Sequence, residues 1–140
     1  MISEIFRKHG PRGWQLIDPE RHRLGDEEAT QVATLLAEVT PAQDGSLLQE
    51  FLDRAVAGDI EAMAELGHHL VALDSSAENL ALAWISLAAL HGHNQSTMLM
   101  AAVCVREAAR LEATGADEKD EILRWLRRAK IWTQENKWAL

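Results

Sequence analysis

LAWISLAALHGHN, Leu82–Asn94, is the stretch on which the reading of this chain turns. It sets a Trp, a run of Ala and a Gly flanked by two His inside one apolar segment. Either His91 and His93 are a metal-binding or catalytic pair, or the segment is the end of a helix made to be packed against. Ser75 with Glu78 upstream forms a capping box, and Gly92 is placed to stop the helix. Both signals favour the packed helix.

The same logic runs outward. Residues 26–39, DEEATQVATLLAEV, open with acids at the positive end of a helix and carry Val32, Leu35, Leu36 and Val39 on one face. Residues 46–58 start on a Ser46–Gln49 capping box, place Leu48, Phe51, Leu52 and Ala55 in a stripe, and stop at Gly58. Residues 59–73 begin at the N-cap candidate Asp59 and bury Ala62, Leu66 and Leu70. A long helix is expected from Asn94 to Thr114, stopped by Gly115, and a last one from Asp117 towards the C-terminus. Residues 1–25 contain Gly10, Pro11, Gly13, Pro19 and Gly25, too much punctuation for a long helix. They read as an irregular arm in which GWQLID forms a short strand and Trp14 anchors the arm to the body. The expected fold is all-α: a bundle of about six helices in one domain, residues 26–140, behind that arm.

The segment also repeats. AGDIEAMAELG at 57–67 is followed 34 residues later by HGHNQSTMLMA, and ALAWISLAA at 81–89 is followed 41 residues later by ILRWLRRAK. The offsets pair Gly58 with Gly92, Trp84 with Trp125 and Ala88 with Ala129. These units resemble the Sel-one-like repeat, a relative of the tetratricopeptide helical hairpin, closely over residues 55–93 and loosely over 94–130. The resemblance implies packing roles. Leu66 and Leu70 fill the groove between helices, Gly67 admits the second helix, Ala81, Trp84 and Ala88 form the answering face, and Gly92 closes the turn. Leu70 stands where the family has Tyr, and DSSAEN replaces its G-x-G-V loop, which implies a compact bundle of about one and a half repeats.

Charge limits the partners. The net charge is −8: residues 26–79 carry twelve acids against Arg54 alone, whereas residues 122–140 sum to +4. An acidic centre repels phosphate backbones, so nucleic acid is not an expected ligand. The cations of RWLRRAK are expected on the solvated face of a helix. No apolar run reaches the ~18 residues of a membrane span, no signal-peptide pattern opens the chain, and the lone Cys104 precludes an internal disulfide. A cytoplasmic protein is expected.

Chemistry is sparse. His68 and His69 point ~100° apart on a helix and do not chelate together, Cys104 lies on an apolar face, and no nucleophile elbow or phosphate loop is present. No catalytic, cofactor or metal residue is assigned. In the hairpin register, the first helices line the binding surface, which places Glu61, Ala64, Glu65 and His68 beside Gln95, Met98, Ala102 and Arg106. Trp84 and Trp125 are core positions and Trp132 returns to the same face; Trp138, near the end, is the candidate aromatic anchor. The leading expectation is a non-catalytic interaction domain that binds a basic protein or peptide. A bacterial immunity protein neutralising a cognate toxin is the alternative, and an enzyme or metal-binding protein is the reading the residues favour least. The oligomeric state stays open.

Overall fold

The computed structural model describes residues 2–42, 44–73, 77–115 and 117–137, among which seven α-helices and one 3-10 helix occur and no strand. The opening stretch lies in α5, Glu78–Leu90, where every residue from Leu80 to Ala89 is buried. A helix apolar all round needs neighbours all round. It has α4 (Ile60–Leu73) on one side, α6 (Asn94–Ala113) on another and the 3-10 helix (Gly10–Leu16) on a third, with α2 (Asp26–Glu38) also touching it.

The repeat is built on two identical joints. At the end of α3 (Leu47–Val56) Gly58 takes φ +101°, and at the end of α5 Gly92 takes φ +89°. Each glycine N–H bonds back to the helix, Gly58 to the Ala55 carbonyl at 3.0 Å and Gly92 to Ala89 at 2.9 Å. The next N–H bonds one residue further back, Asp59 to Arg54 at 3.0 Å and His93 to Ala88 at 3.1 Å. This double bond pattern stops a helix and requires the left-handed conformation that glycine adopts freely. The residue after each glycine then caps the next helix: Asp59 Oδ1 accepts from the Ala62 N–H at 3.2 Å, and His93 Nδ1 from the Ser96 N–H at 3.3 Å. One residue ends one helix and starts the next, 34 positions apart.

The hairpins pack as the repeat implies. Leu66, Leu70, Ala81, Trp84 and Ala88 are all buried, and Gly67 is pressed against Ile85 and Ala81. The Trp84 indole donates to Thr40 Oγ1 at 3.1 Å, and that hydroxyl donates to the Leu36 carbonyl at 2.6 Å. In the second hairpin, α6 and α7 (Lys119–Lys137) bury Cys104, Trp125, Ala129 and Trp132. With 20 residues against 14 in α4, α6 is nearly two turns longer. That is why the second helices repeat at a longer spacing than the first. Among the described residues, no helix is long and apolar enough to cross a membrane.

Four expectations are corrected. Residues 1–25 are not irregular throughout: Ile2–His9 is α1, which buries Ile2 and Phe6 one turn apart, with the Ser3 N–H received by Glu28 Oε1 at 2.8 Å. Gly10 and Pro11 end this helix and open the 3-10 helix; they punctuate helices without excluding them. GWQLID forms no strand, because Gly13 to Leu16 belong to the 3-10 helix and no partner strand exists among the described residues. Val39 is exposed, since it falls at the C-cap of α2, where the helical face is lost. Arg128 leaves the solvated face of RWLRRAK and is buried, its Nη1 donating to the Gln15 carbonyl at 2.6 Å and its guanidinium over the Trp125 ring. The anchoring role of Trp14 is observed: its ring is buried, its Nε1 donates to Asn79 Oδ1 at 2.8 Å, and its centroid lies 6.0 Å from that of Trp125. Ser75 of the second capping box lies outside the described residues.

Candidate interaction surface

The first helices of the two hairpins, α4 and α6, start at the same end of the molecule. Glu61 Oε1 there lies 3.3 Å from His93 Nε2. At the other end, Arg106 Nη1 lies 2.6 Å from Oε1 of Glu78, which opens α5. Between these pairs runs an exposed strip. From α4 it takes Glu61, His68 and the half-exposed Glu65; from α6 it takes Gln95, Met98 (59 % exposed), Ala102 and Arg106. Each of the expected residues is thus exposed or half-exposed on its own helix, with two exceptions. Ala64 is buried, because it sits ~60° round the helix from Glu61 on the flank turned inward. Trp138 lies outside the described residues.

A longer apolar line escaped the sequence reading. Met98, Ala102, Val105 and Ala109 follow one another at helical spacing along the outer side of α6, all exposed, while Met100, Cys104 and Ala108 occupy the buried side. The signal was present as two apolar stripes on one helix, of which a single hairpin partner covers only one.

Beside the strip, two clefts of about 750 Å³ each share Gln15, Glu107 and Arg110; one lies between the 3-10 helix, α6 and the start of α7, the other between the 3-10 helix, α6 and the start of α5. Glu107 is buried, a feature the sequence did not single out. Its Oε2 receives Arg110 Nη2 at 2.7 Å and Nε at 3.1 Å, and Arg106 approaches Oε1 at 3.4 Å. Glu121 is likewise held by Arg124 at 2.9 Å. These carboxylates are satisfied acceptors of arginines on their own helices, and Arg106 carries the network across to Glu78 at the start of α5.

The histidines do structural work. His93 is a helix cap. His91 is the C-cap of α5 beside a cavity of about 210 Å³ shared with Asp26, Thr30 and Met63, and burial pulls its pKa below the ordinary value against the opposing pull of Asp26. His69 packs edge-on to Phe51 at 5.1 Å while its neighbour His68 faces solvent. Burial pushes the Cys104 thiol up to about 12, far from the range of a nucleophilic thiolate. Among the described residues, no three His, Cys, Asp or Glu side chains converge as a metal site would require.

Comparison with protein-family models, curated proteins and solved structures gave no match. The functional reading rests on geometry.

Proposed function

We propose that the chain is a non-catalytic, cytoplasmic protein–protein interaction domain, a short member of the Sel-one-like helical-hairpin kind, that binds a basic protein or peptide along the α4–α6 strip. What carries the reading is the pairing of chemistries on that strip. α6 exposes an apolar line, Met98–Ala102–Val105, and α4, whose Glu61 meets His93 at the start of α6, exposes Glu61 and half-exposes Glu65. Apolar surface supplies affinity once water is excluded, and the acidic edge steers a cationic ligand and fixes its register. His68 and Gln95 add hydrogen-bonding groups at the rim. Arg106 is drawn towards Glu78 and Glu107, which mutes the one cation of the strip.

The test is affinity capture from the native source with the unaltered chain and with two variants, Met98→Asp and the double reversal Glu61→Lys/Glu65→Lys. The captured partner should be basic, should be lost with Met98→Asp, and should associate more slowly with the double reversal. A basic toxin as that partner makes the chain an immunity protein; a subunit of a larger assembly makes it an adaptor. A partner retained equally by both variants overturns the assignment of the strip.

A further inference from the structure

We propose that copies of this chain associate head to tail, the outer face of α7 on one copy docking on the acidic α2–α3 edge of the next. Helical hairpins bury their faces by stacking on neighbours, and a terminal helix normally closes the stack with a polar outer side. Here α7 packs mainly on α6. Away from its buried Trp125, Ala129 and Trp132 it exposes Leu123 (63 %) on the opposite face and Leu126 (43 %) on the flank. At the other end, Val39 (54 %) and Leu47 (55 %) stand exposed on either side of the α2–α3 connection.

The charge on the two ends is complementary. Residues 122–134 contain four cations and no acid; residues 24–53 contain seven acids and no Lys or Arg. On α7, Arg128 is buried, Arg124 and Arg127 are held by Glu121 and Glu20, and Lys130 is exposed with no ion pair among the described residues. At the other end Glu38, Asp44 and Glu50 are exposed and make no ion pair among the described residues. One end thus carries two exposed apolar residues with unpaired acids close in sequence, and the other two exposed apolar residues with an exposed lysine on the same helix. The two ends belong to different helices that do not pack on one another, so one chain cannot satisfy both by itself. A second copy can. Because the joined surfaces differ, the contact is heterologous and leaves one free end of each kind, so it propagates into a ring or a filament. Neither end uses the α4–α6 strip, so this association is separate from partner binding there.

Sedimentation analysis of the full chain across a concentration and salt series tests this. The mass should rise with concentration at ~0.01 M salt and fall towards one chain near ~1 M, as the screening length drops from about 30 Å to about 3 Å. Leu123→Glu and Leu47→Lys, both at exposed positions, should each be monomeric alone. Mixed in equal amounts they should form a dimer and nothing larger, through the one intact end that each retains. An unaltered chain that stays monomeric throughout the series overturns the proposal without recourse to any variant. So does a Leu47→Lys chain that still self-associates, which would mean that α7 docks on α7, or an equimolar mixture that stays monomeric.

Discussion

Gly67 is where a single methyl group should separate packing from helix propensity. A Cβ built there would sit 2.4 Å from Ile85 Cγ1, 2.7 Å from Cδ1 and 3.0 Å from the Ala81 carbonyl oxygen. Carbon pairs settle at ~3.5–4.0 Å, so Gly67→Ala must either part α4 from α5 by about 1 Å or turn a buried, β-branched Ile85 off its rotamer. Overpacking of this kind costs about 1–3 kcal/mol. Replacing glycine by alanine inside a helix returns about 1 kcal/mol. The net expectation is a loss of up to about 2 kcal/mol, read as a lower urea midpoint at unchanged slope. The decisive measurement repeats the substitution in an Ile85→Ala background. There both clashing carbons are gone, the new methyl enters a cavity, and only the Ala81 carbonyl still presses. Ile85→Ala alone should cost about 2–5 kcal/mol, yet adding Gly67→Ala to it should stabilise by roughly the propensity gain. Opposite signs in the two backgrounds are the signature of the close approach. If Gly67→Ala stabilises equally in both, the helices are not pressed together at this point and the packing account of the hairpin fails.

Thr40→Val keeps the volume but removes the oxygen that receives the Trp84 indole, and the stranded N–H should cost about 1–3 kcal/mol; thermal denaturation should show the loss shrinking when Trp84→Phe is already present. His22 and His91 are both held below their ordinary pKa, first of all by burial, so the unfolded chain takes up protons before the folded one. Their contribution is complete above about pH 6.5 and drains as pH falls towards the folded values; the urea midpoint should drop between about pH 7.5 and 5.5, and less so in His22→Asn/His91→Asn. An equal drop in that variant would assign the loss to other groups. With its thiol at about 12, Cys104 should hold only ~10⁻⁴ thiolate near pH 8. A disulfide reagent should label it at a rate set by opening of the fold, faster in Gly67→Ala, and immediate labelling of the native chain would contradict its burial.

The body of the fold was legible because its signals are local. Ser46, Asp59, Gly58, Gly92 and Gly115 mark helix ends through hydrogen bonds within a few residues, and each acts as its residue type suggests. The resemblance to a Sel-one-like unit added what local signals lack: it implied that Gly67 would admit the second helix of its hairpin, and Ile85 and Ala81 of α5 do press on it. What escaped depends on long-range partners. Ile2 and Phe6 are too few to announce a helix, and α1 is secured by groups far along the chain, such as Glu28. Arg128 reads as solvated until Trp125 and Gln15 close over it. At the candidate surface, helical register turned Glu61, His68, Gln95, Met98 and Arg106 to solvent and Glu65 part-way. The same register misjudged Ala64, because one residue step separates a solvent-facing flank from an inward one.

The arm explains how so few repeats hold together. Each hairpin has a face that only a neighbour can bury, and arrays of this kind ordinarily need three or more units. With the α4–α5 and α6–α7 hairpins alone, α5 would keep an open side, and its ten consecutive buried residues could not all be covered. The 3-10 helix closes that side. Trp14 reaches Asn79 at the start of α5 while its ring meets Trp125 on α7, so one side chain is tied to both hairpins. Gln15 then receives Arg128, and Glu20 receives Arg127, both from α7. The arm thus fills the side of α5 that the two hairpins leave open, and because it is short it covers the second helices but not the outer side of α7 or the α2–α3 edge. The strip between α4 and α6 and the two ends stay open for that reason. These are the surfaces on which Met98 and Val105, Leu123 and Leu126, and Val39 and Leu47 are left exposed.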